Sequence, residues 1–195
     1  MSEYQYYEFL AIDEQLDKQA MAALRKISSS ARITPNSLMN VYSGGDFRGD
    51  PDRLMDKYFD AFLYVANWGS RRFMLRMPRK EFNAAAAEKY CVAGTLDMRV
   101  LPQHIVLDFQ AEHEGGGEFE QGEGWLISLV SLRGDLLTGD MRCLYLAWLA
   151  AMQNDEVDAP QEQLPAPPKL GKLSASLQRF AKFMRLDSRT LRRLR

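Results

Sequence analysis

The chain has 195 residues, 46% hydrophobic and 26% charged, a size and balance that suit one folded domain with a helical extension. A formal net charge of −1 excludes a global field that would steer the molecule to nucleic acid or an acidic membrane, so electrostatic recognition must come from local patches. Two cysteines and two histidines offer neither a zinc spacing nor a disulfide framework, and neither metal nor cofactor is expected.

YQYYEFLAI, residues 4–12, is aromatic on both alternating faces and reads as a strand interior to a sheet. Asp17 then caps a helix with Ala20, Met21, Leu24 and Ile27 at helical spacing; SSS at 28–30 and Pro35 close it. SLMNVYS at 37–43 is a second strand, followed by the turn-rich GGDFRGDP. Asp50-Pro51 starts a short helix with Leu54, Met55 and Tyr58 on its apolar side.

AFLYVA and RRFMLRMP flank NWGS, where Gly69 supplies the backbone freedom of a hairpin turn. Alternation in the second strand puts Phe73, Leu75 and Met77 toward a core. It leaves Arg72 and Arg76 on an opposite, solvated face, with Trp68 in the turn. Nucleic-acid platforms need aromatics on the same face as the cations, so this separation argues for an ion-paired surface rather than a base-stacking one. Residues 80–90, with four alanines, read as a helix stopped near Gly94. LDMRVL and HIVLDFQ around Pro102-Gln103 form a second hairpin. His104 enters its second strand with no nucleophile arranged beside it, which favours a structural role.

EHEGGGEFEQGEG, residues 112–124, is an acidic glycine-rich loop that lacks the calcium-loop spacing. Helices follow in WLISLVSLRGDLL and DMRCLYLAWLAAMQ. The expected organisation is an α+β domain over 1–158, with a sheet-forming part to 111 and a helical part at 125–153. A proline-rich linker at 159–172 then leads to an amphipathic helix at 173–195. That makes the fold class α+β, a mostly antiparallel sheet in the N-terminal half covered by helices of the C-terminal half.

The last helix carries Leu177, Phe180 and Met184 on its apolar side, and isolated helices this short are marginal in water. It is therefore expected to pack back on the body. From Lys169 to the end there are nine Lys or Arg against one acid, Asp187. Arg189, Arg192, Arg193 and Arg195 are candidates for partner or phosphate binding, with Arg72, Arg76 and Trp68 as a second group. The acidic loop is a candidate internal dock for the basic end.

No phosphate loop, nucleophile elbow or catalytic triad spacing occurs, and no catalytic residue is assigned. The start MSEYQYYEFL lacks the basic and apolar parts of a secretory leader, and no apolar run reaches bilayer length. The expectation is a cytoplasmic chain that does not engage membrane. YYEFLAID, GDFRGDPDRLMDKYFDAFLYVANWGSRRFMLRMP, GEGWLISLVSLRGDLLTGDMRCLYLAWL and LSASLQRFAKFM together resemble a family of uncharacterised bacterial proteins. The resemblance implies a bacterial cytoplasmic protein of one shared architecture and transfers no catalytic residue. The expected function is a non-catalytic interaction or accessory protein of a bacterial cytoplasmic complex with a protein partner; nucleic-acid binding through the basic tail and hairpin arginines is the alternative.

Overall fold

The computed structural model describes residues 3–112, 121–153 and 164–193. The chain divides into two compact units, residues 1–76 with 112–126 and residues 77–111 with 127–195. Most of the acidic loop, the first part of the linker and Arg195 fall outside the described residues, as does any docking of the basic end on that loop.

The first unit contains β1 (Gln5–Leu10), α1 (Lys18–Ile27), β2 (Arg32–Thr34), β3 (Ser37–Tyr42), α2 (Pro51–Lys57), β4 (Ala61–Ala66) and β5 (Arg71–Pro78), whose last two residues belong to the second unit. The strands lie in the order β2-β3-β1-β4-β5, and their pairings are antiparallel. β1 is interior, as its two apolar faces require; Tyr7 stands opposite both Asn40 and Tyr64. β2 was not expected. It is too short to show periodicity and pairs with β3 across the Pro35-Asn36 turn.

The helix starts are set by side chains. Asp17 accepts a hydrogen bond from the Ala20 amide at 2.6 Å, and Asp50 accepts from the Asp52 and Arg53 amides, satisfying amides that have no partner inside the helix. Gly69 turns the β4–β5 hairpin with φ 112°. Phe9 is fully buried, with its ring centroid 4.5 Å from that of Phe62 and 5.0 Å from that of Phe59.

The second unit holds α3 (Ala84–Glu88), the hairpin β6 (Leu96–Val100) and β7 (His104–Ala111), α5 (Leu132–Leu137), α6 (Arg142–Gln153), α7 (Ala175–Phe183) and α8 (Ser188–Arg193). α4 (Trp125–Leu129) begins with the last two residues of the first unit. The α+β class therefore holds, with antiparallel strands in the N-terminal half and helices dominating the C-terminal half.

Three helices differ from expectation. The 80–90 helix shrinks to α3, because the Asn83 side chain accepts the Ala86 amide at 3.1 Å and starts the helix there. The helix after Trp125 is interrupted between α4 and α5 at residues 130–131. The terminal helix is broken where Arg185 adopts φ 57°, and Asp187 restarts it by accepting the Thr190 amide at 2.6 Å. The break is bridged from the end of α6: Gln153 Nε2 donates to the Arg185 carbonyl and its Oε1 accepts from the Asp187 amide.

α7 packs back as expected. Phe180 is fully buried with its ring edge-on to Phe109 at 5.1 Å, and Leu177, Ala181 and Met184 are buried with it. The described end of the linker delivers this helix. Arg142 grips Asp140 through Nε and Nη2 while Nη1 donates to the carbonyls of Lys169 and Lys172.

Candidate functional site

In the first unit the hairpin arginines are spent on structure. Arg72 reaches Asp52 of α2 at 2.8 Å. Arg76, expected on a solvated face, is buried: its Nε and Nη2 donate to Asp60 Oδ1 at 3.1 and 2.8 Å, and Nη1 donates to the Asp56 carbonyl. The other oxygen of Asp60 accepts the Ile12 and Asp13 amides at 2.7 and 3.0 Å. The face that alternation assigned to solvent is thus covered by α2 and the β1–α1 turn. Arg71 is buried too, with its guanidinium 5.3 Å from the Trp125 ring centroid. Trp68 lies in the turn, 47% exposed. No arginine platform accompanies it on β5.

In the second unit Arg189 and Arg192 are exposed on α8. Arg192 folds onto its own helix, donating to the Ser188 carbonyl at 3.0 Å. Arg193 ends the same helix, and Arg195 lies outside the described residues.

A different cluster gathers at the tip of the β6–β7 hairpin. The turn Pro78-Arg79-Lys80-Glu81 lies against Pro102-Gln103-His104, tied by the Arg79 amide donating to the Gln103 carbonyl at 2.9 Å. Between them is a cleft of about 730 Å³. The Leu101 amide donates to the His104 carbonyl at 2.9 Å and closes the hairpin turn, while the two prolines restrict both walls. The side chains of Arg79, Lys80, Glu81, Gln103 and His104 make no hydrogen bond or ion pair with other described residues. Val100, 53% exposed, ends β6 two positions before Pro102.

Other clefts have tied up part of their polar lining, although Lys26 and Arg48 in the cleft beside α1 make no side-chain hydrogen bond or ion pair with other described residues. Beside α1, Asn40 donates to the Ser28 and Ser30 hydroxyls, and Ser28 shares a hydrogen bond with Tyr42. In the cleft along the linker, Arg142 is occupied as described.

The expectation for His104 is a structural role, and no sequence motif marks Arg79 or Lys80. What unites them is one backbone hydrogen bond between residues 24 apart (103 − 79). A proline beside polar residues in each of two turns was the only sequence signal.

Burial pushes the half-buried Cys91 thiol up to about 11 and the fully buried Cys143 thiol higher still, so neither supplies a thiolate near neutral pH. Among the described residues no three His, Cys, Asp or Glu side chains gather to hold a metal ion, and no helix is long and apolar enough to cross a membrane. Comparison with family models, curated proteins and solved structures gives no match to this chain. The resemblance drawn from the sequence therefore rests on its quoted segments alone.

Proposed function

We propose that this chain is a non-catalytic interaction protein, an accessory component of a bacterial cytoplasmic complex, and that it recognises its protein partner with the β6–β7 tip. The observation that carries the reading is the combination of Arg79, Lys80 and His104, uncommitted among the described residues on two proline-stiffened turns, with exposed Val100 at the end of β6. Rigid turns lose little freedom on binding, and a mixed apolar and cationic surface is of the kind that anchors protein contacts. The bacterial and cytoplasmic setting follows the sequence resemblance.

α7 does not serve as the partner-seeking helix, because its apolar side is already used within its own unit. Affinity purification of the tagged full chain with nuclease treatment tests the proposal. A defined protein should co-purify in fixed ratio and be lost with Val100→Asp. Equal capture by wild type and variant would reject the tip as the surface.

The second reading, nucleic-acid binding, is favoured by the exposed Arg189 and Arg192. Its mark is steep salt dependence, since each phosphate contact releases counterions. Retention on single-stranded DNA at low salt that disappears in Arg189→Glu/Arg192→Glu would support it over the first.

A further inference from the structure

Resting on that reading of the tip, we infer that the cleft between residues 78–81 and 102–104 is a phosphate-recognition site, and that its ligand is a phosphorylated side chain of the protein partner. The lining carries Arg79, Lys80 and Glu81, a net charge of +1 that becomes +2 when His104 is protonated. A single carboxylate needs one cation; a tetrahedral dianion is matched by two cations and an imidazole that can all donate to its oxygens.

The donors are also unused. Arg72, Arg76 and Arg142 each hold a carboxylate, whereas Arg79 and Lys80 have no such partner among the described residues. The volume, about 730 Å³, exceeds what one phosphoryl group fills. The remaining space is bordered by Pro78 and Pro102, with Val100 nearby, and suits residues flanking the modified side chain. None of the seven lining residues is Phe, Tyr or Trp, and His104 alone carries a ring, so a strand of nucleic acid would find no platform on which successive bases stack.

The probes are a peptide library with one fixed phosphoserine, its unphosphorylated twin, inorganic phosphate and a single-stranded oligonucleotide, each added to the full chain. Binding is read by anisotropy and by the ring resonances of the two histidines, with His113 as the control inside the same chain. The phosphorylated library should bind at least tenfold more tightly than its twin and be displaced by inorganic phosphate. It should move His104 saturably while leaving His113 in place, and Arg79→Ala/Lys80→Ala should remove the effect while the fold, checked by circular dichroism, stays intact.

Equal binding of the two libraries overturns the inference, as do parallel drifts of both histidines, stronger binding of the oligonucleotide, or full binding by the double variant. Partner capture that survives phosphatase treatment yet is still lost with Val100→Asp would overturn the phosphate inference and leave the protein-binding reading standing. Absence of any partner would sink that reading instead.

Discussion

Asp60 is the buried carboxylate that ties the β1–α1 turn to β5. It is 1% exposed and receives two amides from one segment and a guanidinium from another. Removing one member of a buried pair leaves the other charge without its counterpart, at about 3–5 kcal/mol. Asp60→Ala should lower the unfolding free energy measured by urea titration by that amount, and Arg76→Ala comparably; a loss under about 1 kcal/mol would show the pair to be dispensable. The pair was half legible in the sequence. Strand alternation placed Arg72 and Arg76 on one face correctly, but alternation carries no information on what lies above that face. The missing clue was the acidic run Asp52, Asp56, Asp60 just upstream, spaced to meet arginines on a neighbouring strand.

Glu8 gives a titration signature at the same scale. Burial raises its pKa above the ordinary carboxylate value; the hydrogen bond donated by Tyr6 opposes that shift, and nearby Glu123 adds to it. A raised folded pKa means that the native state binds the proton more tightly than the unfolded chain. The stabilising contribution is complete below the unfolded value, about 4.3, and is lost as pH rises through the folded one. Glu8→Gln should therefore raise the melting temperature at pH 7 and leave it almost unchanged near pH 3. A destabilised variant at neutral pH would mean that the carboxylate charge is needed.

At the scale of elements, α7 and α8 separate two kinds of stability. α7 is held by apolar burial, and Phe180→Ala opens a cavity against Phe109, expected to cost about 3–5 kcal/mol. A thermal melt of the full chain reads this directly, and an unmoved transition would mean that α7 is undocked in solution. α8 depends on its cap. Hydrogen bonds from Thr190, backbone first, hold the exposed Asp187 carboxyl below its usual pKa. A depressed folded value gives a contribution that is complete above the unfolded pKa and is lost as pH falls through the folded one. The α8 amides should thus lose exchange protection below about pH 4, and Asp187→Ala should produce the same loss at pH 7. Protection equal to wild type in that variant would count against the cap.

The sequence made the starts of α1 and α2 plain, because Asp17 and Asp50 are caps whose chemistry is local. It did not show the break at Arg185. A positive φ at a non-glycine residue is imposed by surroundings, here Gln153 of α6, 32 residues earlier (185 − 153). The tip cleft stayed hidden for the same reason: its two halves meet through a backbone bond that no local pattern encodes.

For the whole molecule, the division into two units does not follow chain order. Residues 77–111 belong to one unit and are flanked on both sides by segments of the other. A fragment ending at residue 111 would lack 112–126, including Trp125, which is 1% exposed with Arg71 against its ring. Such a fragment should fail to give a cooperative melt, whereas the intact chain should melt cooperatively. A cooperative transition in the 1–111 fragment would show the returning segment to be an accessory.

That returning segment also sets a clock. Gly122 lies against the Tyr6 ring, where even a Cβ would collide, and its amide donates to the Tyr4 hydroxyl, so the segment around β1 receives contacts from residues made much later in translation. Between residues 76 and 126 the ribosome adds 50 residues (126 − 76), which at about 5–20 residues per second takes roughly 3–10 s. Mixed α/β domains fold in less time than that, in roughly milliseconds to a second. For those seconds β1 to β5 exist without the segment that completes them, an interval in which a nascent-chain chaperone has time to hold them.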